Sequence, residues 1–185
     1  MLISIDEICQ KKLDKKTVIF RTDTVYGIGA LYHDKVGVQK IYQIKGREKN
    51  KPLVILCASL KEALTFTTDE THLRPLAQKY WPGALTLVVS KSDAVPAFVN
   101  AGFDTIGLRI PHDPIALRLL KHFGPMAVTS LNLSHQPEVK TFKEALRFNH
   151  LSDYIVEADD AKGRASTVYD VSNKRVLRQG SVIVK

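Results

Sequence analysis

The chain has 185 residues, 44% of them hydrophobic, and its 27 lysines and arginines against 19 acidic residues give a formal net charge of +8. A hydrophobic share of that size argues against disorder and for one globular domain over residues 1–185 with a full core. The basic excess points to an anionic partner, nucleotide or nucleic acid, without choosing between them.

Hydrophobic periodicity then places alternating helices and short strands. A helix is predicted near Ile5 to Leu13 and a strand over Thr17 to Arg21. The following Arg21 to Gly29 stretch reads as a turn, with Gly27 and Gly29 allowing close backbone approach. Next come a helix from Asp34 to Lys45, the Lys45-Gly46-Arg47 hook, a strand over Pro52 to Ala58, and helices over Leu60 to Phe66 and Leu73 to Tyr80. Trp81-Pro82-Gly83 reads as a structural turn with a core aromatic. Strands over Leu85 to Val89 and Thr105 to Ile110, a helix over Pro114 to His122 and a strand over Met126 to Thr129 follow. The chain closes with a helix over Phe142 to Phe148, a strand over Tyr154 to Val156, a charged loop from Asp159 to Arg164, and strands over Ser166 to Val171 and Arg175 to Arg178. That order predicts an α/β fold with the last strands antiparallel, and no Pro/Gly/Ser-rich linker divides it.

Only Cys9 and Cys57 are present, with no disulfide framework and no metal knuckle. The start, MLISIDEICQKKLDKK, has no continuous apolar stretch or small-residue cleavage site, and no later run approaches the ~20 apolar residues that span a bilayer. A cytoplasmic protein without membrane contact is the expectation. The six histidines, His33 and His112 among them, show no metal-ligand spacing.

Chemistry is expected in the loops that follow strands, where open α/β sheets expose a crevice. Lys45-Gly46-Arg47 could be a solvated, cation-rich helix end, but charge alone does not require that spacing. Thr22-Asp23-Thr24 offers hydroxyls and a carboxylate that also suit an ordinary turn. Ser130-Leu131-Asn132-Leu133-Ser134 could equally be a helix N-cap. In the Thr105 to Ile110 strand, Thr105, Gly107 and Arg109 share the face opposite Ile106, Leu108 and Ile110. An arginine on a polar inner face suits a carboxylate or phosphate, and a surface arginine on an exposed sheet face is the competing reading.

Taken together, Thr22-Asp23-Thr24-Val25-Tyr26-Gly27, Lys45-Gly46-Arg47, Trp81-Pro82-Gly83, Thr105 through Pro111, Ser130-Leu131-Asn132, Ser166-Thr167-Val168 and Leu177-Arg178-Gln179-Gly180 resemble, in order, the motifs of the YrdC/TsaC family. Its members are the L-threonylcarbamoyladenylate synthases that begin threonylcarbamoyladenosine modification of tRNA. The resemblance implies a twisted open mixed sheet with a concave, positively charged cavity. It also implies a reaction joining L-threonine, bicarbonate and ATP with release of pyrophosphate, and partner proteins that use the adenylate. Magnesium is expected to arrive with ATP, no protein metal site is expected, and the charge suggests weak RNA binding. By resemblance, Lys45, Arg47, Thr105, Ser130, Asn132 and Arg178 surround ATP, with Lys45 and Arg47 the catalytic pair, and Thr22, Arg109 and Ser166 hold L-threonine.

Departures from the family pattern fall at Arg21 and Glu48, where proline is usual, at Leu131 in place of alanine, and at His135 in place of glycine. Leu56 stands where longer members carry a histidine that helps hold threonine, and a short form without the extra C-terminal domain of those members is the expectation. Two alternatives stand beside the synthase: an RNA-binding module without catalysis, and a domain handling a carbamoyl adenylate.

Overall fold

The structure is a computed structural model that describes residues 1–133 and 136–185, so the expectations at Ser134 and His135 lie outside the described residues. In chain order the elements are β1 (Leu2–Ile3), α1 (Ile5–Ile8), β2 (Val18–Arg21), β3 (Tyr26–Leu31), α2 (Lys35–Lys45), β4 (Val54–Leu56), α3 (Leu60–Leu64) and α4 (Glu70–Tyr80). They continue with β5 (Leu85–Ser90), α5 (Ala97–Asn100), β6 (Thr105–Arg109), α6 (Pro114–Phe123), β7 (Met126–Ser130), α7 (Phe142–Ala145), β8 (Tyr154–Val156), β9 (Thr167–Asp170) and β10 (Arg175–Arg178). The strands form one mixed sheet in the order β1-β8-β2-β3-β7-β4-β6-β5-β9-β10. The expected antiparallel ending is present in the β9–β10 pair.

Local chemistry sets the helix starts. Asp34 Oδ1 accepts from the N–H groups of Val36 (3.1 Å) and Gly37 (3.2 Å), and Asp113 Oδ1 from those of Ile115 (2.9 Å) and Ala116 (3.0 Å). Each such cap stabilises a helix by about 1 kcal/mol. Asp69 caps α4, which therefore starts at Glu70, ahead of the expected Leu73. The first helix is shorter than expected: after Ile8 it tightens into Gln10–Glu7 and Lys11–Ile8 backbone bonds, and Leu13 drops into the core, 2% exposed.

One expectation is corrected. In the expected Arg21 to Gly29 turn, Tyr26 to Gly29 instead belong to strand β3, which pairs antiparallel with both β2 and β7. Tyr26, Ile28 and Ala30 face one core, while a Cβ on Gly29 would lie 2.9 Å from Val128 Cγ2. Those glycines serve close packing on a neighbouring strand.

The two faces of the sheet are covered unequally. On one, α2, α3, α4, α5 and α7 bury a core that includes Ile41, Ala63, Leu73, Val99 and Ala145 against Ile55, Leu87, Ile106 and Leu108. On the other, α1 and α6 supply Ile8, Leu119 and Leu120 to a smaller core with Val18, Phe20 and Met126. Among the described residues, no helix is long and apolar enough to cross a membrane.

Candidate active site

On the face that carries the smaller core, the sheet also floors a cavity of about 440 Å³. Gly27, Val54, Val88, Gly107 and Val128 line it. A Cβ on Gly107 would stand 3.2 Å from both Thr86 Cγ2 and Val54 Cγ2, so glycine here keeps the floor low. Thr105, Gly107 and Arg109 all face the cavity, and Ile106 and Leu108 enter the opposite core, as the strand's period of two predicts.

One end is built around Arg109, only 5% exposed. Its Nε donates to the Gly83 carbonyl (2.9 Å), one terminal nitrogen to Thr24 Oγ1 (3.1 Å) and the other to Asp23 Oδ1 (2.6 Å). Burial pulls the guanidinium below its usual proton affinity and Asp23 opposes that pull. Thr22 Oγ1 donates to the Val25 carbonyl at 2.7 Å and meets Thr24 Oγ1 at 2.9 Å, which shapes the loop. Ser166 Oγ meets Thr86 Oγ1 at 2.8 Å, and Arg178 donates to the Ser166 carbonyl at 2.9 and 3.2 Å. The Trp81-Pro82-Gly83 turn is structural, as expected: Trp81 Nε1 donates to the Leu85 carbonyl at 2.7 Å, and Gly83 supplies the carbonyl for Arg109.

The other end explains the Lys-Gly-Arg spacing. Lys45 is the last residue of α2, and Gly46 closes the helix with a left-handed φ of 56°, letting the Arg47 N–H return to the Tyr42 carbonyl at 2.9 Å. The helix end is not solvated at Lys45, which is 2% exposed. Its Nζ donates to the Ser130 carbonyl and to Asn132 Oδ1 (2.6 Å), and Ser130 Oγ donates to the same Asn132 oxygen at 3.0 Å. Among the described residues no helix begins next to Ser130 or Asn132, and the N-cap reading at Ser134 lies outside them. Arg47 donates to the carbonyls of Lys51 (3.2 Å) and Pro52 (3.0 Å). Thr22, Arg47, Thr105, Arg109, Ser130, Ser166 and Arg178 line the cavity, whereas Lys45 and Asn132 are connected to it through Ser130.

Burial, reinforced by Arg47 and opposed by Glu138, pushes the Lys45 ammonium down to about 7. Above that pH the folded chain has released a proton that the unfolded chain still holds, so stability rises with pH from about 7 towards the ordinary lysine range. Cys57, whose thiol burial pushes upward, opposes this once the unfolded thiol ionises. Urea melts between pH 7 and 8.5 are therefore expected to show a gain approaching ~1 kcal/mol per pH unit, and Lys45→Met should flatten it. An unchanged slope in the variant would place the titration elsewhere.

The departures from the family pattern divide by location. Arg21 Nε donates to Asp113 Oδ2 at 2.9 Å, tying β2 to the cap of α6. Leu131 is fully buried in the larger core, and Glu48 is exposed and pairs with Lys51 at 2.9 Å. Among the described departures, only Leu56 lines the cavity. Sequence reasoning assigned no role to Asp23, Thr24 or Thr86; the polar Thr86 among apolar neighbours in Leu85–Ser90 was the available signal.

The protein family comprising Sua5, YciO and YrdC, described as "Telomere recombination", matches residues 12–180. The chain is 35% identical over 161 residues to the threonylcarbamoyl-AMP synthase of Pyrococcus abyssi, covering 85% of this chain and 47% of that protein. It is also 35% identical over 171 residues to a putative threonylcarbamoyl-AMP synthase of Mycobacterium tuberculosis, covering 89% and 78%. The crystal structure of P. abyssi Sua5 complexed with L-threonine matches with a TM-score of 0.91 at 31% identity, covering 97% of this chain and 57% of that one. The chain thus spans about half the length of the P. abyssi relative.

Proposed function

The chain belongs to the Sua5/YciO/YrdC family, and on that premise we propose that it is a threonylcarbamoyl-AMP synthase. It joins L-threonine, bicarbonate and ATP into L-threonylcarbamoyladenylate, releases pyrophosphate, and serves tRNA threonylcarbamoyladenosine modification (t6A at position 37). Magnesium enters as part of the nucleotide substrate, and partner proteins carry the threonylcarbamoyl group onward. The observation that carries this reading is one cavity lined by both Arg109 and Arg47. Thr105 and Arg109 lie four residues apart on one strand, about 13 Å at ~3.3 Å per residue, a span suited to an amino acid and a nucleotide laid end to end.

In the proposed reaction the threonine amine attacks the carbon of bicarbonate, and an oxygen leaves as water. A carbamate oxygen then attacks the α-phosphorus, and the bond to the β-phosphate breaks as pyrophosphate departs. Negative charge accumulates on phosphate oxygens throughout. Arg47 offers a planar fork and Lys45, behind Ser130, a point charge when protonated, and cations placed near developing charge are often the largest catalytic contribution. Placing the reactants in line on one floor supplies the rest, with no covalent enzyme intermediate required.

Purified protein given ATP, magnesium, bicarbonate and L-threonine is expected to form a threonine-bearing adenylate and pyrophosphate, and leaving out threonine or bicarbonate should abolish both. Equal pyrophosphate release without threonine would overturn the assignment. Release driven by carbamoyl phosphate would transfer it to the carbamoyl-adenylate reading, and RNA binding with no turnover to the non-catalytic one.

A further inference from the structure

The cations of the cavity differ in what holds them. Arg47 donates to the carbonyls of Lys51 and Pro52, and Arg178 to the carbonyl and hydroxyl of Ser166. Those acceptors are neutral oxygens, which orient a guanidinium and leave its charge in place. Glu138 acts on Arg178 and Lys45 at longer range, Tyr42 and Glu48 act on Arg47, and the charge of Arg178 is felt by both Arg47 and Arg109. Arg109 instead forms a direct ion pair with Asp23 at 2.6 Å, with side chains only 7% and 14% exposed. A pair so shielded from solvent is close to neutral as seen by an incoming ligand, while the guanidinium keeps N–H groups beyond those given to Asp23, Thr24 and Gly83.

A nearly neutral hydrogen-bonding pair and cations held by neutral oxygens attract different ligands. An amino acid zwitterion has no net charge and needs donors for its carboxylate, which the Arg109–Asp23 pair supplies without a surplus of charge. A phosphate chain carries several negative charges and would bring them towards the Asp23 carboxylate. We propose that Asp23 is a specificity-determining positioning residue: by pairing with Arg109 it reserves that end of the cavity for an amino acid and turns polyphosphate towards the Lys45–Arg47 end. Gly163 supports the arrangement, since its N–H donates to the Thr24 carbonyl at 3.0 Å and a Cβ there would lie 2.7 Å from the Asp23 carbonyl oxygen. The inference rests on reading the cavity as a site for an amino acid and a nucleotide.

The test is calorimetric titration of the full chain with inorganic tripolyphosphate alone. Wild type is expected to bind one equivalent, whereas Asp23→Asn and Asp23→Ser, which uncover the charge of Arg109, bind a second. Asp23→Glu, which keeps the carboxylate, stays at one. A role confined to folding would not raise the stoichiometry. Two equivalents on wild type, or one on the neutral variants when circular dichroism shows them folded, overturn the proposal, and the wild-type arm decides even if both neutral variants fail to fold. With no threonine or ATP present, this outcome is separate from failure of the synthase reading, which shows as pyrophosphate release that ignores threonine.

Discussion

Arg109→Leu is expected to destabilise the fold by about 3–5 kcal/mol, the usual consequence of removing one partner from a buried ion pair. Leucine fills part of the volume but leaves the Asp23 carboxylate, the Gly83 carbonyl and Thr24 Oγ1 without the donor that joins them. These groups belong to two segments that Arg109 ties to its own strand, so the loss loosens the Thr22 to Val25 loop, the Trp-Pro-Gly turn and β6 together. For a domain of this size the melting temperature should fall by roughly 10 °C, at about 2–4 °C per kcal/mol. Urea melts of Arg109→Leu, Asp23→Leu and the double variant check this, with the double variant recovering part of the single-variant loss. A single variant that melts with wild type would show the pair to be marginal to the fold. Threonine affinity is then best compared through Arg109→Lys, which retains a positive charge for Asp23.

Gly180→Ala is expected to cost about 1–3 kcal/mol of stability from overpacking, with turnover falling more than tenfold. A Cβ at this position would sit 2.3 Å from the Ala165 carbonyl oxygen, 2.5 Å from the Thr167 nitrogen and 2.7 Å from the Ser166 carbonyl carbon. All are backbone atoms at the start of β9, so no side-chain rotation relieves the contact. Either the C-terminal segment lifts from Thr167, losing the Gly180 N–H bond to Thr167 Oγ1 (3.0 Å), or the Ser166 backbone moves and takes its bonds with Arg178 along. Both routes disturb the Ser166 end of the cavity. Gly46→Ala is the control: its φ of 56° makes any side chain strained, but among the described residues a Cβ there meets no neighbour within 4 Å. Its cost should stay near the 1–2 kcal/mol typical of left-handed backbone. Parallel thermal melts and turnover assays separate the two, and equal losses in both would show that the clash at Gly180 is not the determinant.

Much of the site was legible where a property belongs to one short segment. Alternation in Thr-Ile-Gly-Leu-Arg places Thr105, Gly107 and Arg109 on one face, and the structure keeps them there along the cavity. The bounds of Tyr154–Val156 and Arg175–Arg178 and the antiparallel ending were readable for the same reason. Lys45-Gly46-Arg47 was readable as a unit through its resemblance to a family motif, and the structure adds the reversal at the left-handed backbone of Gly46 that gives the spacing its purpose.

The remainder was decided by partners far apart in the chain. Gly27 and Gly29 read as turn residues because their lack of side chains signals a turn as readily as a close strand neighbour, and only the packing of Val128 against β3 distinguishes the two. The burial of Lys45 follows from the Ser130 carbonyl arriving from 85 residues away, which no local spacing announces. Arg109 was identifiable as an arginine on an inward face, but the electrostatic character of its end of the cavity depends on Asp23, 86 residues earlier. By itself the sequence determined which side chains point inward, because alternation along a strand is set by the backbone's own period. Tertiary structure alone decided which of those side chains meet and which cation is paired with a carboxylate, because Coulomb and hydrogen-bond energies depend on separation in space and burial, which only the packed sheet defines.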